Sequence, residues 1–566
     1  MPRIRTRPLF AAGLLAVGLV VGAQVQEAVS GSDDVEQLRK IEEAYEYISR
    51  AYVEEVDSAQ LAEDAIDGML AGLDPHSIYI SAEDMRSVRE SFDASFDGIG
   101  IYYEFVEGRE DVDTLVVLMP IAGGPSYEAG LQPGDRIVAI DGENAVGIEQ
   151  DEVPVKLKGP RGTKVALTIE RPGYRQPLSF EITRDKIPLN TVIASYMVDD
   201  ATGLVRLQRF ARTSHDEVRD AIRELQGQGM ERLVLDLRGN AGGLLDQAYA
   251  IADEFLPAGD MIVYTESRHP NNRRQYRATA GGVFEDRPVI VLVDENSASA
   301  SEIVAGALQD HDRALLVGRR TFGKGLVQQQ FPMTDGSVLQ MTVSQYYTPA
   351  GRLIQTPFEL GESDEDYGAG KAAIREAIED RLAPEGGLID ASAFASEVPD
   401  SLVYRTDIGR TVYGGGGILP DYIVARDSLS PALRTVIGRN LDNEFARTEI
   451  ERRGEAFRQR WEREGAAAFR AGFRVDDATY DRFLRFASEA GVAVVAERPD
   501  GDADEAVLVR PEVDAVRADV ETRIRAFMAR RLFGADAFYP VIGDLDPALQ
   551  EARRLWPNAA TLAARR

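Results

Sequence analysis

The chain has 566 residues, enough for about three or four domains, and 44% of them are apolar, so ordinary globular cores are available. Its formal net charge of −30 repels a nucleic-acid duplex or an anionic membrane surface, which removes nucleic acid as an expected partner. There is no cysteine, so disulfides, thiolate nucleophiles and thiolate metal sites are excluded together, and four scattered histidines lack the spacing of a zinc site.

The N-terminus begins with Arg3, Arg5 and Arg7, followed by an apolar run from Leu9 to Val21. That run is short for a membrane span and suits a signal-peptide core, with "VGA" at 21–23 as a small-residue cleavage site. An uncleaved inner-membrane anchor is the alternative for residues 1–32. Either reading places the bulk of the chain outside the cytoplasm, in the periplasm of a two-membrane cell.

Residues 33–96 read as helical, with Leu38, Ile41, Ala44, Tyr45 and Ile48 at helical spacing and "LDPHS" as a break at 73–77. Residues 97–186 change to short β-rich runs ("LVVLM", "RIVAI", "KVALTIE") between turn clusters, a small β module. Over 187–427 strands alternate with helices, which predicts βαβ units and a mostly parallel sheet. Residues 428–566 are charged and helical, with no assignable motif; a dimerisation or substrate-tethering role is an expectation only.

The stretch "GRRTFGKGL", Gly318 to Leu326, is close to a phosphate-cradling loop. It lacks the Ser or Thr after the lysine that would ligate Mg²⁺, and an extended segment follows instead of a helix. Lys324 therefore needs another role. Ser297, Ser299 and Ser301 follow the strand 288–294 at a turn into a helix. Each suits a helix cap, and Ser299 with Glu302 forms the S-x-x-E capping box. The same position suits a nucleophile, because the helix dipole favours a developing anion there. "DLRGNAGGLL" offers adjacent glycines whose N–H groups can face an anion. A hydroxyl nucleophile needs a base. His311 reads as a solvated helix end, and His76 as part of another region. Lys324 lies in an apolar stretch between glycines, where burial would lower its pKa towards neutrality.

The stretch "SASASEIVAGALQDHDRALLVGRRTFGKGLVQ" closely resembles the active-site segment of the C-terminal processing peptidases, the tail-specific proteases. "LDPHS", "GIGI", "AGLQPGDRIVAIDG", "GPRGT", "YYTPAGRLIQ" and "GGGGILPD" resemble further blocks in family order, over about 35–425. The resemblance implies Ser299 as nucleophile, Lys324 as general base and Gln328 as its orienting partner. It implies Gly243 and Ala300 N–H groups as the oxyanion hole, with Gly242 as a substitute for Gly243. It implies an α/β multi-domain chain: a crotonase-like α/β protease core at 187–427, an inserted PDZ domain at 97–186, and helical N-terminal (33–96) and C-terminal (428–566) regions. Leu326 departs from the family, where a small polar residue is expected.

The implied activity is hydrolysis of peptide bonds through an acyl-enzyme, with no cofactor and no metal. Gly98, Ile99, Gly100 and Ile101 would receive a substrate's terminal carboxylate while its tail adds to the sheet edge. Substrates would be proteins with accessible apolar C-termini. An adaptor or activator, a homodimer and a membrane tether are further expected partners. Two other classes compete. An inactive PDZ scaffold is disfavoured by the intact Ser299, Lys324 and Gln328, and an acyl-CoA enzyme by the export signal, since CoA is cytosolic.

Overall fold

The computed structural model describes residues 32–107, 113–121, 123–171, 173–379, 388–394, 398–425, 429–498 and 507–565. The export signal or anchor expected at 1–32 lies outside these apart from Ser32, and "ERPDGDADEA" at 497–506, whose composition reads as an exposed loop, lies outside them from residue 499 on.

The centre is a seven-stranded sheet in the order Val192–Met197, Thr202–Leu207, Arg232–Asp236, Val289–Val293, Leu315–Gly318, Tyr422–Val424, Leu388–Asp390. The five inner strands are parallel and the two outer ones antiparallel. Val289–Val293 is buried at all five positions, as an unbroken apolar run must be when both faces are covered. Helices Ser214–Gly227, Leu245–Asp253 and Ala300–Asp310 cover one face, packing Val218, Ile222, Ile251, Val304 and Leu308 onto Leu235 and Val291. Every residue of Ala300–Asp310 is buried, so this helix runs through the core and is not amphipathic.

The other face is covered from an unexpected place. The last two helices, Pro547–Arg554 and Trp556–Arg565, lay Leu549, Ala552, Leu555, Trp556 and Leu562 on Val234, Ile290, Leu292 and Val317. The motif-free C-terminus thus completes the third layer around the central sheet. The rest of that region forms a separate helical core around Phe445, Phe469, Phe483 and Ile524.

A second, antiparallel sheet joins Ile78–Ile80, Val338–Tyr347, Met261–Glu266 and Arg274–Arg277, with Leu326–Pro332 also paired to the long strand. Ile78–Ile80 comes from the region that the sequence marks only as helical; its pairing with Val338–Gln340 draws the N-terminal segment into the core. The β module is a six-stranded sheet in which Ile101–Glu107 is an edge and Asp113–Pro120 its neighbour. A short ladder, Ser95–Gly98 against Asp185–Pro188, closes its base.

Deleting residues 547–565 should expose the apolar sheet face, lowering the unfolding midpoint and raising binding of a hydrophobic dye. Trp556→Ala alone should cost about 3–5 kcal/mol in urea denaturation. An unchanged midpoint in both would refute the covering role.

Candidate active site

The turn after Val289–Val293 is built by Asp294. Its carboxylate accepts from the N–H groups of Asn296 (3.0 Å), Ser297 (3.1 Å) and Gly239 (3.0 Å), joining two loops at the ends of adjacent strands. The three serines then separate. Ser297 and Ser301 are fully buried, and their hydroxyls donate to the carbonyls of Leu237 (2.9 Å) and Asn240 (2.8 Å). Ser299 is half-buried, and its hydroxyl makes no such bond. Its φ of 53° lies in the left-handed region, which costs a non-glycine residue about 1–3 kcal/mol and marks a constrained elbow. Of the capping box, the Ser299 N–H to Glu302 bond is well formed at 2.8 Å. The Glu302 N–H already donates to the Ser299 carbonyl at 2.9 Å, so the Ser299 hydroxyl is at most its secondary partner.

The glycine loop lies against this elbow. Gly242 packs so close that a Cβ there would stand 2.9 Å from Ser299 Cβ and 3.1 Å from the Ala300 nitrogen. Gly243 presses on Phe210, whose carbonyl would be 2.1 Å from an added Cβ. The Gly242 N–H is consumed by Asn240 Oδ1 at 2.9 Å, whereas those of Gly243 and Ala300 have no partner among the described residues. Of the two glycines considered from sequence, only Gly243 is free to donate.

Lys324 owes its flanking glycines to packing. A Cβ on Gly323 would sit 2.2 Å from Thr356 Oγ1, and one on Gly325 2.7 Å from the Gln355 nitrogen. The Gly323 carbonyl accepts from Thr356 N–H at 2.9 Å, and the Gly325 N–H donates to Gln355 Oε1 at 2.9 Å. The "GGGG" segment is a tight fit too: Gly417 abuts the Thr321 carbonyl, 2.4 Å from where its Cβ would be.

Glu302, fully buried on the first turn of the core helix, ties the two halves together. Its Oε1 accepts from Thr321 Oγ1 (2.5 Å) and the Gly323 N–H (2.7 Å), and its Oε2 from the N–H groups of Lys324 (2.9 Å) and Ser299 (2.8 Å). Burial pushes the carboxyl up from its ordinary range, and these donors pull it back only in part. Tyr346 adds a second tie, its hydroxyl donating to the carbonyls of Ser299 (3.1 Å) and Lys324.

The Lys324 Nζ donates to Gln328 Oε1 at 2.8 Å, and burial pulls the ammonium below its ordinary 10.5 against the charges of Asp74 and Glu302. Among the described residues no hydrogen bond joins Nζ to Ser299 Oγ. Gln328 is itself fixed: Gln340 Nε2 donates to its Oε1 at 3.1 Å, and its own Nε2 donates to the His76 carbonyl.

Two histidine readings need correction. His76 does not belong to another region; it lies beside Phe322 and Tyr367 at the site, with ring centroids 6.5 and 5.6 Å away. Burial first, and the Lys324 charge second, lower it to about 4, so it is neutral at physiological pH. His311 is not a solvated helix end. It is buried, 2.7 Å from Asp407 and 2.6 Å from the Met261 carbonyl. Both contacts come from segments more than forty positions away, which local patterning does not reach. Leu326 is buried and pairs across to Gln345, so its apolar character fills the sheet next to Lys324.

The PDZ-type positions stand apart from this site. Gly98 ends the base ladder opposite Asp185, and Gly100 turns the chain at a φ of 74°. Ile101 opens the edge strand, while the N–H groups of Ile99 and Gly100 have no partner among the described residues.

Glu302→Gln leaves one acceptor oxygen for four donors. A shift of about 1 Å in reacting groups costs about 100-fold, so kcat should fall at least that far with KM little changed. Activity near the parent's would remove Glu302 from its framing role.

Residues 201–359 match the family profile described as peptidase family S41, residues 116–171 a PDZ domain, and residues 20–84 the N-terminal domain of activating protease CtpB. The carboxy-terminal-processing protease of Bartonella bacilliformis is 39% identical over 357 residues, 62% of this chain and 80% of its own. Carboxy-terminal processing protease CtpB of Bacillus subtilis is 37% identical over 330 residues, 58% and 67% of the two chains. Among solved structures, the photosystem II D1 C-terminal processing protease is 31% identical, covering 55% of this chain and 89% of its own at a TM-score of 0.32. The serine at a strained elbow and the half-buried lysine beyond the adjacent strand lie inside the 201–359 stretch that matches the family profile, and the chain belongs to the carboxy-terminal-processing protease family.

Proposed function

We propose that the chain is a serine endopeptidase of the cell envelope that captures protein C-termini and cuts peptide bonds with a Ser299–Lys324 dyad. The observation that carries this reading is the sorting of hydroxyls and amides at the elbow. Of the three serines only Ser299 donates its hydroxyl to no carbonyl among the described residues, and it adjoins the unpartnered N–H groups of Gly243 and Ala300.

Ser299 Oγ attacks the scissile carbonyl carbon while Lys324 Nζ, as the neutral amine, takes its proton. The oxyanion accepts from the Gly243 and Ala300 N–H groups. Collapse breaks the C–N bond, and the Lys324 ammonium protonates the leaving amine. Water then repeats the sequence on the acyl-enzyme, releasing the acid and restoring Ser299. Burial favours the neutral amine that this needs, and Gln328 holds it by hydrogen bonding. Proton transfer requires Nζ within about 3 Å of Oγ. The neutral amine's lone pair can accept from Ser299 Oγ while an N–H group still donates to Gln328 Oε1.

The core is assigned to the crotonase-like α/β class, a reading supported by its parallel sheet and covering helices. Envelope location rests on the arginine-led apolar run at 3–21. PDZ domains bind peptide C-termini, and the free Ile99 and Gly100 N–H groups suit a carboxylate. The CtpB-type N-terminal segment supports control by an activator.

Purified protein should cleave a disordered substrate with an apolar C-terminus in the presence of a chelator and without ATP. Lys324→Ala should lose at least about 1,000-fold in kcat, and equal cleavage by the variant would remove the dyad. In the parent, kcat/KM should rise with pH along one limb whose midpoint lies below 10.5, as Lys324 loses its proton. No second limb should occur near 6.5, because His76 titrates near 4.

A further inference from the structure

The edge strand Ile101–Glu107 of the PDZ sheet does not face open solvent along its whole length. Its far end forms one wall of a groove of about 870 Å³ whose other wall is the C-terminal helical region. Glu104, Phe105 and Val106 all line it. Successive side chains of a strand point to opposite faces, so a groove touching three in a row runs along the strand's edge and not over one face. The opposite wall includes Phe445, Arg485, Phe486 and Ala490. The two walls are held in place: Arg531 makes a two-pronged ion pair with Glu104 (2.9 and 2.8 Å), and it also donates to Asn443 at 2.9 Å.

We infer that this groove extends the peptide-recognition site, and that its occupant is the upstream part of the substrate tail whose C-terminus the PDZ domain holds. The inference rests on the PDZ reading above. The carboxylate site lies at Ile99–Gly100, just before the edge strand begins, so a tail anchored there can only run onward beside the strand, towards Glu107. At about 3.3 Å per residue, the six positions from Gly100 to Val106 span about 20 Å. The tail therefore meets the groove about four to six residues before its end. Phe105 and Phe486 are half-buried there and Ala490 is exposed, an apolar floor for one bulky side chain. Arg485 is exposed beside them and has no ion-pair partner among the described residues. The C-terminal region in this way becomes a reader of substrate sequence, selecting tails with a large apolar residue at that distance.

The test measures fluorescence polarisation of labelled peptides on the full chain carrying Ser299→Ala, which leaves the peptides intact. One peptide has four residues and the other twelve, both ending in Val, the longer with Leu about five residues from its end. The longer should bind about tenfold tighter, the effect of burying one such side chain. Ala490→Trp, an exposed position, should fill the groove and abolish that gain while leaving the four-residue peptide's affinity unchanged. A photo-crosslinker in place of the Leu should label the helix Asp477–Glu489. Equal binding of the two peptides in the parent overturns the inference, as does a gain that survives Ala490→Trp with no crosslink to that helix. Binding of neither peptide overturns the PDZ reading itself, and the inference with it.

Discussion

Everything at the catalytic centre hangs on a carboxylate that touches no substrate. Glu302 is out of water, which for an ion costs several kcal/mol, and it is tolerable because four donors converge on its two oxygens. Those donors belong to the elbow and to the lysine segment, more than twenty positions apart in the chain. Burying one charge fixes the backbone of Ser299 against the backbone of Lys324 to within hydrogen-bond tolerance. The side chains above them can then reorient without the frame shifting.

The remaining supports come from far along the sequence. The Gln328 side chain is pinned by a carbonyl from the "DPHS" turn near the N-terminus. Arg238, at the start of the glycine loop, is gripped by Asp236 and by Asp546, which also caps a C-terminal helix. Burial pushes the Asp236 carboxyl up, but the Arg238 and Arg206 guanidiniums beside it hold it below the ordinary carboxylate range. The centre is therefore assembled from segments spread over almost the whole chain. Such non-local contacts must all close before any of them is effective, which makes cooperative formation the expected behaviour.

How far the sequence foretold this depends on the range of the physics involved. The elbow, the glycine loop and the lysine segment were legible because strand-to-helix turns have local rules: caps, glycines and an odd lysine in an apolar run. The choice among Ser297, Ser299 and Ser301 was legible only through resemblance. What separates them physically is which hydroxyl finds a carbonyl on a neighbouring strand, at Leu237 or Asn240. The same holds for Gly242 against Gly243, decided by one bond to Asn240. His76, Tyr346 and the C-terminal cover on the sheet had no local signal at all. Their roles come from non-local partners, tens of positions away for Tyr346 and hundreds for the other two, and helices carrying Leu549 and Trp556 do not say which sheet they will meet.

The ladder at the base of the PDZ module carries one more consequence. Ser95 pairs with Pro188 and Gly98 with Asp185, so the chain enters and leaves the module side by side, about 5 Å apart. A unit joined to its host through two adjacent strands works like a plug in a socket. It can be exchanged for another with the same two-strand stem while the core keeps its path unbroken. Such an exchange must also reproduce the ion pair that Glu104 of the module makes with Arg531 of the C-terminal region.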